Sequence, residues 1–318
     1  MFTYILKRLG MTALVLLLSM VLLSLLVQVV PGDAAVVMLG NRATPEQIQK
    51  ARVLMDLDQP FYVQVGRFIW RALRGDFGND WYSGRPIIDY FKDVFWHTFV
   101  LAWASLGLAV FLGVPLGVYS ASHPNSLPDR LLAVLSISFI TLPSYVAGLF
   151  LLLLFAVRLK VLPATGVGNP ADLWDYARHL ILPATAMAIP WVGYLARLVR
   201  SSLLEVLNSN YIRVARAFGL RNRLIFYKYA LKNALIPTVA VLGMGIGGMM
   251  GGAMIIEAIF ARPGMGTVML NAVSARNYPI VRAGSFIISL LFILSNLAAD
   301  ISYSWLDPRI QLGQGRRR

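Results

Sequence analysis

Six apolar runs, each bounded by polar or charged residues, divide the chain: about Leu9 to Val30, then roughly 98–120, 131–157, 180–199, 234–256 and 283–306. A helix needs about 20 apolar residues to cross a hydrocarbon core ~30 Å thick. The pattern therefore predicts an all-α membrane protein with six transmembrane helices. Pro115, Pro143, Pro183 and Pro190 fall within or at the start of these runs. Prolines in membrane helices leave carbonyls that neighbouring helices re-satisfy, so kinks are expected there.

The first run follows Lys7 and Arg8. The apolar core of a cleaved signal peptide is usually ~7–15 residues. This run is longer, and Pro31-Gly32-Asp33 makes a poor small-residue cleavage site, so residues 1–30 are expected to form an uncleaved anchor helix. Residues 31–98 form a polar insertion with eight basic and eight acidic residues. Within it, Thr44-Pro45-Glu46-Gln47 has the form of a helix start: Thr44 can accept from the Gln47 amide while Gln47 reaches back, and Pro45 suits the first turn. A second helix is predicted from Phe61 to Leu73, burying Phe61, Val65, Phe68 and Ala72 on one face. Gly75 and Gly78 end that pattern, and a third helix starting near Pro86 runs towards the second span. Residues 99–306 make up the core, interrupted by a polar segment at 201–233, and 307–318 form a basic tail.

Composition agrees with a membrane protein. Hydrophobic residues make up 58% of the chain, charged residues only 14%, and mean hydropathy is +0.66; soluble domains carry roughly 25% charged residues. The net charge of +14 could suggest nucleic acid, but the charges lie between apolar runs, where they orient spans. The segments 1–8, 121–130, 197–233 and 307–318 hold 15 basic residues against three acidic ones, Asp129, Glu205 and Asp307. The positive-inside rule places these segments, and with them both termini, in the cytoplasm. Residues 31–98 then form an extracytoplasmic insertion. With no cysteine there are no disulfides or thiolate sites, and His97, His123 and His179 lie too far apart in sequence to suggest a metal cluster.

The stretch 201–237 is too polar to span and too patterned for a loose loop. Tyr211 to Phe218 has the pattern of a short helix with Ile212, Ala215 and Phe218 close together, Arg213 and Arg216 flanking them, and Gly219 stopping it. A second helix with Leu224, Tyr227 and Leu231 on one side leads into the fifth span. Two readings stand on these residues alone: a helix whose small crest enters a groove on a partner protein, and an interfacial helix resting on anionic lipid.

These residues also carry a resemblance. Ala215, Gly219 and Leu231 resemble the cytoplasmic signature of binding-protein-dependent importer permeases: Glu-Ala-Ala, three residues, Gly, and further on Ile-x-Leu-Pro. Arg213 stands for the Glu, Val214 for the first Ala and Lys232 for the Pro. Those departures resemble the peptide/nickel branch, with its Tyr-x-Arg-x-Ala-Arg-Ala-x-Gly-Leu and Ala-Leu-x-Asn-Ala. Tyr211, Arg213, Ala215, Arg216, Ala217, Gly219 and Leu220 match the first, and Ala230, Leu231, Asn233 and Ala234 the second. Pro31-Gly32-Asp33, Gly75-Asp76-Phe77-Gly78, Pro263-Gly264-Met265-Gly266, Tyr278-Pro279 and Asp307-Pro308-Arg309 match the branch in order. The chain is thus similar over nearly its whole length to the B-type permease of dipeptide and oligopeptide importers.

The resemblance implies a heteromeric ABC importer in a bacterial or archaeal cytoplasmic membrane. Its parts are this chain, a paralogous second permease, two ABC ATPase subunits and an extracytoplasmic solute-binding protein. It makes Tyr211, Arg213, Ala215, Arg216, Ala217 and Gly219 the coupling helix held by an ATPase. No enzyme activity and no cofactor are expected in this chain, with ATP and Mg belonging to the ATPase subunits; no Gly-Lys pair, and hence no Walker-type phosphate loop, occurs in the sequence. Di- and oligopeptides are the implied solutes, with nickel chelates, opines, glutathione and oligosaccharides carried by similar proteins.

The fifth run holds Gly243, Gly245, Gly247, Gly248, Gly251 and Gly252. Small residues four apart let helices approach closely, so tight packing is one reading. The other is a solute pathway or gate at Met244, Gly247, Met250, Gly251, Met254 and Glu257, with the methionines as a deformable apolar seal. Glu257 and Asp300, charges at or inside spans, are functional candidates or structural partners of arginines. The 261–282 segment is expected to be a structured outer or re-entrant element. An ion-coupled secondary transporter would carry intramembrane ionisable pairs and inverted repeats, neither of which is clear here. An intramembrane enzyme finds no HExxH, Gly-x-Ser-x-Gly or paired intraspan aspartates.

Overall fold

The computed structural model describes residues 10–11, 14–22, 25, 36, 43–54, 58–80 and 82–306, with backbone alone for 51 and 300–306. Most of the 1–30 anchor, Pro31-Gly32-Asp33, the Asp300 side chain and the 307–318 tail with Asp307-Pro308-Arg309 lie outside the described residues. The described chain is helical, with one isolated bridge, Asn79 to Pro86, in place of a strand.

α1 (Pro45–Leu54) opens with the expected reciprocal cap: the Gln47 amide donates to Thr44 Oγ1 at 3.3 Å and the Thr44 amide to Gln47 Oε1 at 2.9 Å. α2 (Phe61–Ala72) buries Val65, Phe68 and Ala72 as expected, and Gln64 as well, while Phe61 is half-buried. α3 (Ile87–Ser122) is one helix of 36 residues that joins the third insertion helix to the second span. α4 (Leu127–Thr141) and α5 (Ser144–Arg158) follow, then α6 (Leu173–Leu207), α7 (Asn210–Ala217), α8 (Asn222–Ile259), α9 (Met265–Ser274) and α10 (Tyr278–Leu306).

The run 131–157 is not one span. α4 and α5 meet at a 100° bend. Pro143 cannot donate an amide, and its ring drives the preceding residue out of the helical region; Leu142 accordingly has ψ 114°. Pro115, Pro183 and Pro190 lie inside unbroken helices. Among the described residues four helices are long and apolar enough to span (α3, α6, α8 and Tyr278–Ala299 of α10), or five when α4 and α5 count as one broken span.

The chain forms two compact units. The first comprises Met1–Thr98 and Pro263–Ile293. Its apolar core gathers Met20, Val65, Phe68, Ala72 and Phe286, with Phe68 edge-on to Phe286 at 5.8 Å between ring centroids and to Phe77 at 6.4 Å. Beside it, buried Asp80 accepts from Asn277 Nδ2 at 2.6 Å, Ser83 Oγ at 2.7 Å and the Tyr90 hydroxyl at 3.0 Å. Gly75 and Gly78, at φ +77° and +76°, turn the chain into this network. Two stretches distant in sequence, 75–90 and 277–286, are thereby tied together.

The second unit comprises Phe99–Arg262 and Leu294–Arg318. Here α3 and α6 touch backbone to backbone. A Cβ on Gly113 would lie 2.9 Å from the Val192 carbonyl, and one on Gly117 2.6 Å from the Ala196 carbonyl. Gly193 packs equally closely under the Ser136 carbonyl of α4. At one end of this bundle Asp129 is buried in the first turn of α4 and takes both oxygens to Arg200 of α6.

Candidate functional site

α7 is held by its own chain. Ile212 is fully buried in a cluster with Ala121 of α3, Leu203 of α6 and Ile225, Ala230 and Ala234 of α8. Ala215 and Leu220 are half-buried against the same cluster. Tyr211 accepts from Asn233 Nδ2 at 2.9 Å, fixing the start of α7 to α8. After the helix, Gly219 adopts φ +74°, which side-chain-bearing residues rarely adopt. The Gly219 and Leu220 amides close the end on Arg216 and Ala215 carbonyls.

The expected grouping of Ile212, Ala215 and Phe218 therefore needs correction. Ile212 and Ala215 face inward, whereas Phe218 is 82% exposed. Past Ala217 the helix has ended, so Phe218 no longer follows the helical face. The outward surface is formed by Tyr211, Arg213, Val214, Arg216, Ala217 and Phe218, all exposed. Of the expected coupling residues, Ala215 is the one that is not exposed. Val214 and Phe218 were missed; an aromatic beside a helix-stopping glycine in an otherwise polar segment is the signal that marks them.

The second helix also differs. Leu224 and Tyr227 are exposed, and Ile225, Ala230 and Ala234 form the buried side. Residues Ile225–Ala230 are π-helical. That wider turn puts residues five apart, rather than three or four, on one face.

The fifth-run residues divide by face. Gly243 meets Ala299 of α10, and a Cβ on Gly245 would lie 2.7 Å from the Trp191 ring, so these two serve packing. Gly248, Gly251 and Gly252 have nothing near the position of a Cβ, and Met244 and Ile255 on the same side are exposed. Of the expected pathway residues, Met244 and Gly251 lie on this open face. Gly247 and Met250 are buried, and Met254 is half-buried. Glu257 is fully buried on the other side, and Phe260 and Arg262 just after the helix are buried too. Arg262 donates its amide to the Glu257 carbonyl at 2.8 Å and Nη2 to the Tyr176 hydroxyl at 2.9 Å. Burial pushes the Arg262 guanidinium below its ordinary pKa, opposed by Tyr176 and by the Glu257 charge. The 261–282 segment is structured as expected, with α9 anchored by the Met265 amide donating to Thr98 Oγ1 at 2.8 Å.

Residues 113–312 match the family described as binding-protein-dependent transport system inner membrane component, and residues 1–90 match the N-terminal family of the same membrane components. The probable D,D-dipeptide transport system permease protein DdpB of Escherichia coli K12 is 36% identical over 308 residues, covering 90% of this chain and 91% of the relative. The glutathione transport system permease protein GsiC of Salmonella paratyphi A is 36% identical over 311 residues, covering 98% of this chain and 99% of the relative. Among solved structures, an inward-facing MetNI methionine ABC transporter chain aligns with TM-score 0.53 at 18% identity, covering 68% of this chain and 95% of that chain. That likeness concerns the fold.

Proposed function

The chain belongs to the family of binding-protein-dependent transport system inner membrane components, and from that premise we propose that it is one permease subunit of an ABC importer for di- or oligopeptides. Relatives named for D,D-dipeptide and glutathione transport, at 36% identity across nearly the whole chain, support a peptide solute; glutathione is itself a short peptide. A receptor on the outer side delivers the solute, a paralogous permease completes the pathway, and two ATPase subunits hydrolyse ATP in the cytoplasm. Both termini lie on the cytoplasmic side, as the charge count favours.

The observation that carries the proposal is the exposed edge of α7. A short helix whose inner face is locked by Ile212 presents Val214, Ala217 and Phe218 outward, between Arg213 and Arg216. An exposed large apolar residue rimmed by charge suits a protein groove, because aromatic and arginine side chains dominate interface energetics. Force applied there passes into the Ile212 cluster, which joins α3, α6 and α8. The open face of α8, with Met244, Gly248, Gly251, Gly252 and Ile255, is where the second permease and the pathway meet this chain.

Purification of the complex from its native membrane tests this reading. ATPase subunits and a second permease should accompany the chain, and vesicles containing the assembly should take up a receptor-delivered peptide only with internal or external ATP on the ATPase side. Isolation of the chain alone, with ion-gradient-driven uptake, would favour a secondary transporter.

A further inference from the structure

We infer, resting on the importer reading, that the break between α4 and α5 forms part of the wall of the water-filled path through which the solute crosses.

Two independent markers put the break at mid-membrane depth. Pro143 stands near the middle of the apolar run bounded by Arg130 and Arg158. Its neighbours on α6 give the same level. A Cβ on Gly193 would lie 3.3 Å from Ile140 Cγ1, just before the break. A Cβ on Gly148, just after it, would lie 3.5 Å from Ala186 Cβ. Residues 186–193 are central between Arg178 and Arg197, a stretch of about 28 Å at 1.5 Å per residue, which matches the hydrocarbon core.

At this depth the break leaves backbone groups open. The Leu142 amide reaches the Ser138 carbonyl at 3.1 Å, and the Val146 and Ala147 amides turn back to the Pro143 carbonyl. Pro143 has no amide to give. Among the described residues the Phe139, Ile140 and Thr141 carbonyls therefore receive no backbone donor, and the Ser144 and Tyr145 amides find no backbone acceptor. Thr141, Pro143 and Tyr145 are exposed, so this chain does not cover them. Tyrosine concentrates at the ends of spans, yet Tyr145 sits at the centre of one. Its hydroxyl has no hydrogen bond among the described residues.

Hydrocarbon cannot satisfy such groups, and irregular backbone persists at membrane depth only where protein buries it or water reaches it. A helix of the second permease brings a backbone already bonded within itself, so it leaves the same groups open. Water satisfies donors and acceptors together. The Ser138 and Thr141 hydroxyls, which donate to the Val134 and Ile137 carbonyls at 3.0 and 3.1 Å, keep lone pairs that accept from it. An amide-rich solute such as a peptide meets there the donors and acceptors that it gives up on leaving bulk water.

The test uses Thr141→Cys, Tyr145→Cys and Leu112→Cys, each as the single cysteine of the complete importer in vesicles. Leu112 is exposed on α3, which runs unbroken through its apolar run. The probe is an impermeant, charged methanethiosulfonate applied from either face of the membrane. The nucleotide-free complex should react at 141 and 145 from one face, and the complex trapped with ADP and vanadate from the opposite face. Both positions should react roughly tenfold or more faster than 112, because the thiolate that reacts forms only in contact with water. Retention of ADP and vanadate by the complex checks the importer reading separately. Where nucleotide is retained but neither position reacts from either face, the break is dry, and the inference falls while the importer reading stands. Reaction from the same face in both states makes the break a side crevice and overturns it too, as do equal rates at 141 and 112. Failure to retain nucleotide removes the importer reading and this inference with it.

Discussion

Asp129 and Arg200, 71 residues apart, form a two-pronged ion pair: Arg200 Nε and Nη2 donate to the two carboxylate oxygens of Asp129 at 2.7 and 2.8 Å. Ser120 Oγ and the Asn125 amide donate to the same carboxylate. The pair locks the α3–α4 turn to α6 one turn from Leu203, which is part of the cluster beneath α7. The two partners differ in burial, Asp129 at 3% and Arg200 at 32% side-chain exposure. Arg200→Leu strands a buried carboxylate and should cost about 3–5 kcal/mol. Asp129→Asn leaves a cation that reaches solvent and should cost much less. Thermal unfolding of the two variants in detergent checks this order; equal costs would contradict it.

Two glycines in different spans should respond differently to bulk. Gly117→Leu drives a side chain into the α6 backbone, where the Ala196 carbonyl oxygen stands 2.6 Å from the position of a Cβ, and should prevent stable folding. Overpacking alone costs about 1–3 kcal/mol, and a backbone neighbour cannot move aside as a side chain does. Gly248→Leu enters open space and should leave the chain folded but unable to join its second permease. Size-exclusion profiles of each variant with and without the partner permease separate the outcomes. Assembly of Gly248→Leu at the wild-type level would make that face lipid-exposed.

Some of this was legible from residue types because the causes are local. The Thr44–Gln47 cap, the inner face of α2 and the helix stop at Gly219 each depend on a few adjacent residues. The placements that differ depend on something farther away or on a change of helical period. The π turn at Ile225–Ala230 moved Leu224 and Tyr227 outward. Phe218 left its expected face because the helix ended one residue before it. Pro143 was legible as a kink, but the 100° angle depends on how α4 and α5 pack on α6. Gly113 and Gly117 read as ordinary residues of an apolar run because α6, which packs against them, is distant in sequence, and the Asp129–Arg200 pair bridges segments with no local signal. The fold class and family were legible because composition and ordered short motifs extend over the whole chain.

Stability of the first unit should depend on pH through Asp80. Burial opposes its ionisation, but hydrogen bonds from Ser83, Asn277 and Tyr90 outweigh it and hold the pKa below the ordinary value of 3.8. Because the folded value is the lower one, the ionised network stabilises the fold above the unfolded pKa, and this contribution is lost as pH falls through the folded pKa. Asp80→Asn should lower stability at neutral pH and abolish that acid-range change. Proteolytic susceptibility of the 75–90 region, followed from pH 7 downward, checks it; identical profiles for both proteins would contradict it.

Orientation has a direct chemical readout in this cysteine-free chain. Lys50→Cys and Asn222→Cys both place a thiol at an exposed position. An impermeant maleimide applied to intact cells, with the outer membrane permeabilised where there is one, should label the first and spare the second. The opposite pattern would reverse the topology and remove the importer reading.

The central claim is that the outer edge of α7 transmits force from ATP hydrolysis. Phe218 makes the sharpest probe, since it is exposed in this chain and is not one of the buried residues that hold α7. Burying a phenylalanine in a partner groove stabilises by about 1.5–3 kcal/mol, so Phe218→Ala should weaken ATPase-subunit binding by roughly ten- to hundredfold. The most direct measurement is the ATPase rate of the reconstituted complex, with ATPase subunits below saturation, with and without solute-loaded receptor. The account predicts that Phe218→Ala and Ala217→Glu each insert, pair with the second permease and bind receptor, yet lose receptor-stimulated hydrolysis together with uptake. Full stimulation in both variants would contradict it and leave α7 as an interfacial helix resting on lipid.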